Sequence, residues 1–241
     1  MYQGVKEFIA SFREPFDRDA KALKKAKERM KEKGVSYSSK AGKELLLEEV
    51  ELVLAEWEQK AQWGTLAHDT LQDRLLKKHP DTIKEEYKKV DSGISHETVL
   101  DVNNLKPNTR YLEKLLVDPL NHLIGRVDEL YIDKKWNIHV TEYKSSNNLN
   151  RGFTYMTPRG PFIVNYFHPV SHLVDCNFTN ANLQASMYMY LIWYYNKKLK
   201  PGTITIKHIL LDENDGKILS EKDYKAPYLL EEVKQLLKHN K

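Results

Sequence analysis

The stretch that decides the fold is NHLIGRVDELYIDKKWNIHVTEYKSSNN, residues 121–148. It holds two runs of alternating residues on either side of Asp133-Lys134-Lys135, which predicts two antiparallel strands joined by a turn. Because side chains alternate across a strand, Glu142 and Lys144 share one face while Tyr143 points to the other. Two neighbouring charges on one face belong either to a solvated edge or to a functional site.

The flanking sequence adds further elements to this pair of strands. TRYLEKLLVDP, just before it, predicts a first strand and therefore a meander of three. Helical periodicity precedes the meander: residues 5–33 with a break near Pro15, a leucine-rich segment from 45, and a second segment from about 64 to 78.

After the meander comes a long irregular stretch, residues 145–180, and then NANLQASMYMYLIWYYNKK, which predicts a buried helix. A hairpin turning at Asn214-Asp215-Gly216 and a terminal helix complete the chain. We therefore expect an α/β fold in which helices flank a central mixed β-sheet. We expect a single domain over residues 1–241, with a helical N-terminal region over residues 1–60.

Composition excludes several classes of protein. The formal net charge of +4 permits contact with nucleic acid without demanding it. Cys176 is the only cysteine, which excludes an internal disulfide, a cysteine-ligated zinc site and an iron–sulfur cluster. No apolar run approaches the roughly 18 residues that span a bilayer, and the N-terminus lacks a secretory signal. These features predict an intracellular protein without membrane contact, located in the cytoplasm, or in the host cytoplasm if the protein is viral.

Asp128 lies on the middle strand of the predicted meander, and Glu142 and Lys144 lie on the next. If these strands are neighbours, the three side chains meet at one end of the sheet. Two converging carboxylates repel each other unless a cation lies between them, and oxygen ligands suit Mg²⁺ or Mn²⁺. A lysine beside such an ion is typical of phosphodiester hydrolysis by an activated water. The spacing alone still favours three ordinary surface charges.

Four motifs together make the chain similar to a known family. Asp128 followed by Glu142-Tyr143-Lys144 resembles the signature of the PD-(D/E)XK nuclease superfamily, and GRVDELYID resembles the form found in its RecB-like exonuclease branch. Gly64 and His68 in GTLAH, and Gln184 and Tyr188 in QASMY, match two further motifs of that branch in the same order. Two other segments, near residues 5–26 and 168–184, look like viral or phage members of the branch.

The resemblance implies a restriction-endonuclease-like core and a role for each matching residue. His68, Asp128, Glu142 and the backbone carbonyl of Tyr143 would bind Mg²⁺, for which Mn²⁺ would substitute. Lys144 would position the attacking water. Gln184 and Tyr188 would hold the DNA strand or organise the site. Glu113 would add an outer carboxylate.

Each of these residues also has a simpler explanation. A histidine like His68 is more often a surface or core residue, and Gly64 could serve only packing. Tyr188 could be one more core aromatic in an apolar helix, whereas Gln184 on that helix needs polar partners. For Glu113, a role in the site and an ordinary surface position are equally compatible with the sequence.

The irregular stretch carries two arginines, Arg151 and Arg159, among aromatic residues. Cations interleaved with stacking rings are typical of a surface that binds single-stranded nucleic acid. A hydrophobic flap packed on the core would have the same composition, and the sequence does not separate the two interpretations.

These observations predict a Mg²⁺-dependent deoxyribonuclease, an exonuclease, acting on a duplex end or a single strand of DNA in repair, recombination or replication. The alternative is a catalytically inactive nucleic-acid-binding or assembly module of the same fold. Hydrolysis of RNA also stays open, because nothing in the sequence discriminates the sugar. A protein partner or a homo-oligomer is compatible with either function.

Overall fold

The computed structural model describes residues 2–85, 101–146, 149, 154–157 and 160–239. Within these residues, seven strands form one mixed sheet. They are β1 (Gln3–Gly4), β2 (Ile83–Lys84), β3 (Thr109–Asp118), β4 (Leu123–Ile132), β5 (Asn137–Ser145), β8 (Lys200–Leu211) and β9 (Ile218–Ala226). A separate hairpin consists of β6 (Thr154–Thr157) and β7 (Gly160–Ile163).

The helices flank this sheet, which confirms the expected α/β fold. They are α1 (Val5–Ala10), α2 (Arg18–Glu32), α3 (Lys40–Lys78), α4 (Asn177–Tyr195) and α5 (Leu230–His239), with a short 3₁₀ helix at Asp101–Asn104. The predicted meander is β3–β4–β5, with antiparallel pairing between neighbours. The predicted C-terminal hairpin is β8–β9, and β8 extends the sheet by pairing with β5.

Helix α4 connects β5 to β8 because two parallel strands need a crossover. Its sequence is apolar on nearly all sides, and eleven of its residues are buried. Its apolar residues pack against the sheet together with α1 and α5, and these elements form the main hydrophobic core. The other face of the sheet is covered by the C-terminal half of α3, where Ala67 and Leu71 contact Tyr143 and Ile209.

Strands β4 and β5 separate partway along their length. Their pairing runs from Ile132↔Ile138 to Glu129↔Thr141 and ends there. Further along the same edge of β4, Leu123 and Ile124 pair instead with β1. We call the opening between β4 and β5 the fork. It brings the N-terminus of the chain beside the residues that follow Thr141.

The sequence predicts two helical segments between residues 45 and 78, and this prediction is wrong. Helix α3 is continuous over 39 residues and passes through Gly64 without a break. Its N-terminal half and α2 form a helical hairpin that we call the arm. The arm has its own small hydrophobic cluster, which consists of Ala22, Ala26, Met30, Leu46 and Val53.

Candidate active site

Three potential ligand atoms converge at the fork. His68 Nε2 lies 3.3 Å from Asp128 Oδ1 and 3.6 Å from Glu113 Oε1. One ligand atom of each residue lies within 4.8 Å of the others. His68 comes from α3, Glu113 from β3 and Asp128 from β4, so the sheet and its covering helix both contribute. Glu113 is thus as close to this centre as the two residues that the motifs single out.

Glu113 reaches the centre through an irregularity in β3. Its φ of 55° lies in the left-handed region, which is unusual for a residue other than glycine. The strand register pairs Leu112 with Glu129 and Lys114 with Val127, and it omits Glu113. Arg126 donates a hydrogen bond from Nη1 to the Glu113 carbonyl at 3.2 Å, which supports this conformation. Such strained residues cluster at functional sites.

The fork leaves the backbone of Tyr143 without a partner on β4, and a side chain replaces that partner. The Tyr143 N–H donates to Asp128 Oδ2 at 2.7 Å. Since the N–H and C=O of one extended residue point to the same edge of a strand, the Tyr143 carbonyl also faces the Asp128 side. The Tyr143 ring packs edge-on against His68, with centroids 5.0 Å apart.

Glu142 and Lys144 lie on the opposite face of β5 from Tyr143 and belong to a chain of polar contacts with α4. Lys144 Nζ contacts Glu142 Oε1 at 2.8 Å and Gln184 Oε1 at 3.5 Å. Gln184 Nε2 donates to the Tyr188 hydroxyl at 3.0 Å. Glu142, Gln184 and Tyr188 are buried, whereas Lys144 lies at the surface of a cavity. Gln184 and Tyr188 thus lie behind Lys144 and hold it, and Gln184 also lines a cavity between α1 and the start of α4.

The two motif carboxylates have pKa values shifted in opposite directions. For Asp128, the cost of burial is outweighed by hydrogen bonds from His68 and Tyr143 and by nearby positive charge, so its pKa is lowered. Burial and the charge of Asp128 raise the pKa of Glu142 to about 7, against the opposing effects of Lys144 and Lys6. The site therefore accommodates one negative charge readily and a second only with additional positive charge.

The neighbouring carboxylates stabilise the charged forms of His68 and Lys144. Burial lowers the pKa of His68, but its hydrogen bond with Asp128 and the charges of Asp128, Glu113 and Asp69 exceed that effect and raise it overall. Burial likewise acts against Lys144, and the charges of Glu142 and Asp128 raise its pKa above the ordinary value. Lys144 is therefore a persistent ammonium group.

Two motif glycines permit close packing around the site. A Cβ on Gly125 would lie 2.6 Å from the Tyr188 ring, so only glycine lets that ring pack across β4. A Cβ on Gly64 would lie 2.5 Å from Ser145 Oγ, at the point where α3 crosses the end of β5. Both glycines act through packing.

Gln72 is a site residue that the sequence analysis missed. It lies one turn after His68 on α3 and is buried. Its Nε2 donates to Glu113 Oε1 and lies 3.3 Å from His68 Nδ1. The four-residue spacing from His68 was the available signal, since it places both side chains on one face of the helix.

Arg151 and Arg159, predicted to contact DNA, lie outside the described residues. Of the aromatic side chains in the same stretch, Tyr166 is a core residue, whereas Phe162 and Phe167 are exposed.

No helix in the described part of the chain has the length and apolar character needed to cross a bilayer.

The residues at the fork fit a hard divalent cation. Carboxylate oxygens and a histidine nitrogen are ligands that Mg²⁺ and Mn²⁺ accept. Glu142 Oε2 is buried and has no hydrogen-bond partner among the described residues, which leaves an acceptor without its expected compensation. His68, Glu113 and Asp128 would hold the ion, with Glu142 and the Tyr143 carbonyl as further oxygen donors.

Comparison with known proteins adds no assignment: neither a protein-family model nor a curated protein sequence matches this chain.

Proposed function

We propose that this protein is a divalent-metal-dependent nuclease that hydrolyses phosphodiester bonds in DNA. One observation carries the proposal. The ligand atoms of His68, Glu113 and Asp128 converge at the fork, beside an ion pair between the buried Glu142 and the partly exposed Lys144. Carboxylates and a histidine can hold a metal ion that activates water, and a fixed lysine can stabilise charge on a phosphodiester during hydrolysis.

The residues of the chain would divide the work. Bound Mg²⁺ or Mn²⁺ would offset phosphate charge and lower the pKa of a water molecule. Lys144, held by Glu142 and Gln184, presents its ammonium group to the cavity. There it can orient the attacking water or stabilise the negative charge that develops on the phosphate. Tyr188 and Gly125 keep this arrangement in place from behind.

The cavity in front of these groups has a volume of about 950 Å³ and is open to solvent. It is lined by His68, Glu113, Asp128, Tyr143 and Lys144, together with residues of α3 and β2. A polymer can therefore reach the site without complete enclosure. The resemblance to RecB-like exonucleases favours action from a DNA end, in repair, recombination or replication.

Digestion assays test the proposal. We expect purified protein with Mg²⁺ or Mn²⁺ to degrade linear duplex or single-stranded DNA and to leave closed circular DNA intact. Glu142→Ala and Lys144→Ala should each lower the rate by about 100-fold or more, because each removes a group that acts on the reacting phosphate or its nucleophile.

Asp133→Asn is the matched control. Asp133 is a carboxylate that directly follows β4, at the end of this strand that lies away from the fork. The Asp133→Asn variant should retain full activity. Retained activity in folded Glu142→Ala or Lys144→Ala protein would refute the assignment. Binding of DNA without digestion would instead favour an inactive module, and digestion of closed circles would indicate an endonuclease.

A further inference from the structure

Lys6 lies at the fork, although none of the four motifs includes it. Strand β1 pairs with β4 through Gly4 and Ile124, on the same edge that β5 leaves. Lys6 follows two residues later, on α1. Its side chain is exposed, and its charge acts on the buried Glu142. The insertion of β1 therefore places a lysine from the N-terminus beside the candidate active site.

Lys6 also lines two adjoining cavities. One is the 950 Å³ cavity that contains the candidate metal ligands. The other, of about 480 Å³, lies between α1 and the start of α4 and is lined by Arg13, Asn177 and Asn180, among others. The two cavities share Lys6, Lys144 and Ser145. Together they form a trough that passes directly over Lys144.

Lys6 differs from Lys144 and Arg13, which also line the trough, because those two side chains form salt bridges. Lys144 pairs with Glu142 at 2.8 Å, and Arg13 pairs with Asp175 at 3.2 Å. Lys6 forms no salt bridge with any residue that the structure describes. Glu7 is the carboxylate that lines the second cavity and opposes anion binding there. Where the two cavities join, Lys6 therefore offers a positive charge that has no salt-bridge partner among the described residues.

We propose that Lys6 is a positioning residue that binds a backbone phosphate of the DNA strand, next to the phosphate being cleaved. The strand would run from the cavity with the metal ligands, over Lys144, into the cavity between α1 and α4. The polar side chains of Asn177 and Asn180 would then face its continuing backbone. This inference rests on the proposed nuclease function and adds the path of the substrate to it.

The first experiment measures binding of a short fluorescent oligonucleotide, single-stranded or blunt duplex, to metal-free protein in EDTA, where digestion cannot occur. Lys6→Gln should bind about three- to tenfold more weakly at moderate salt, because one lysine–phosphate contact is lost. Its plot of log affinity against log salt should be shallower by about 0.7 for a single strand. Lys6→Arg, which keeps the charge, should bind like the wild type.

Lys135→Gln is the matched control. Lys135 is an equally exposed lysine in the turn between β4 and β5, at the opposite end of the sheet from the fork. It should change neither the affinity nor the salt dependence. An equal loss for both variants would indicate a general charge effect and would overturn the assignment to Lys6.

A second experiment locates the phosphate. A neutral methylphosphonate replaces one phosphate at a time along the oligonucleotide, and affinity is measured for the wild type and Lys6→Gln. The wild type should lose affinity at one position where Lys6→Gln loses nothing further, as expected for two groups that contact each other. Cleavage products formed with Mn²⁺ identify the scissile bond, and the coupled position should be its neighbour.

The outcomes separate the inference from the function on which it rests. Wild-type affinity and salt slope in Lys6→Gln, or the absence of any coupled position, would refute the role of Lys6 while leaving the nuclease proposal intact. A wild-type protein that neither binds nor digests DNA would refute both.

Discussion

Gln72 joins the two sides of the candidate metal centre, since its amide contacts both Glu113 and His68. Its Oε1 is buried and has no hydrogen-bond partner in the part of the chain that the structure describes. Its Nε2 donates to the Glu113 carboxylate and lies against His68 Nδ1, so Gln72 fixes the positions of both side chains relative to each other. Residues that orient a ligand in this way contribute strongly to metal affinity.

We therefore predict that Gln72→Leu weakens Mn²⁺ binding about 10- to 100-fold in a calorimetric titration. The free energy of unfolding should change little, because leucine has a similar volume and removes a buried acceptor that lacks a partner. Gln62→Leu, at an exposed position of the same helix, is the control and should leave Mn²⁺ affinity unchanged. Wild-type affinity in Gln72→Leu would show that Gln72 has only a packing role.

The left-handed conformation of Glu113 gives a second prediction. Glu113→Gly and Glu113→Ala both remove the carboxylate, but only glycine adopts a φ of 55° without steric cost. Glu113→Gly should therefore be more stable than Glu113→Ala by about 1 kcal/mol in urea unfolding. At Thr141, which has ordinary strand pairing, the order should be reversed. A more stable alanine variant at position 113 would contradict the strained conformation.

At the residue scale, motif spacing in the sequence identified candidate site residues. It could not show which of these residues contact each other. His68, Asp128 and the pair Glu142 and Lys144 come from separate segments, and only folding shows that they are neighbours. Glu113 stayed undecided because its contribution depends on a backbone irregularity that no alternation pattern predicts. The spacing of Gln72 from His68 indicates a shared helix face, but it gives no sign of the contact with Glu113 on β3.

At the scale of single elements, the two motif glycines, Gly64 and Gly125, differ in how easily their surroundings could accommodate a methyl group. A methyl group on Gly125 would meet the buried ring of Tyr188, which has no room to move, whereas one on Gly64 would meet the rotatable hydroxyl of Ser145. Gly125→Ala should therefore lower the free energy of unfolding by about 1–3 kcal/mol, as overpacked cores do. Gly64→Ala should cost less than about 1 kcal/mol, because alanine favours the helix.

Thermal and urea unfolding of both variants measure this difference. Replacing Tyr188 by leucine in the Gly125→Ala background should recover part of the lost stability, because a smaller side chain makes room for the methyl group. An equal cost for the two glycine substitutions would contradict the packing argument.

Elements with a strong periodic signal were predictable, and the exceptions have physical reasons. The meander and the C-terminal hairpin follow from alternation and turn residues, and α4 follows from its apolar length. The break expected before Gly64 is absent, because one glycine costs a helix only about 1 kcal/mol and packing against the sheet offsets that. Strand β1 has two residues, so its pairing with β4 leaves no pattern in the sequence.

At the scale of the whole molecule, the described residues contain a large core and a separate small cluster in the arm. The main cluster combines the sheet with α1, α4 and α5, whereas the arm has five buried apolar residues of its own. Ion pairs add to the arm: Arg29 contacts Glu56 at 2.6 Å, and Lys33 contacts Glu49 at 2.6 Å. The exposed pair of Arg29 and Glu56 contributes little to stability, whereas Glu49 of the second pair is buried in the hairpin.

The arm should accordingly open without unfolding the rest of the protein. In hydrogen exchange followed by mass spectrometry, amides of α2 should exchange through a local opening, and those of α4 only through global unfolding. Val53→Ala, which reduces the arm cluster, should speed exchange in α2 and leave α4 unchanged. Equal acceleration in both helices would show that arm and core form one cooperative unit.

Because α3 is continuous, a rotation of the helix about Gly64 moves its N-terminal end much further than it moves His68. At 1.5 Å per residue, the helix start at Lys40 lies roughly 36 Å from Gly64, whereas His68 lies roughly 6 Å beyond it on the other side. A tilt of about 10° around Gly64 would thus move the tip by roughly 6 Å and the imidazole by roughly 1 Å. A spectroscopic label at Lys40 would therefore move about six times as far as the His68 side chain. It would report displacements of His68 that are too small to observe directly.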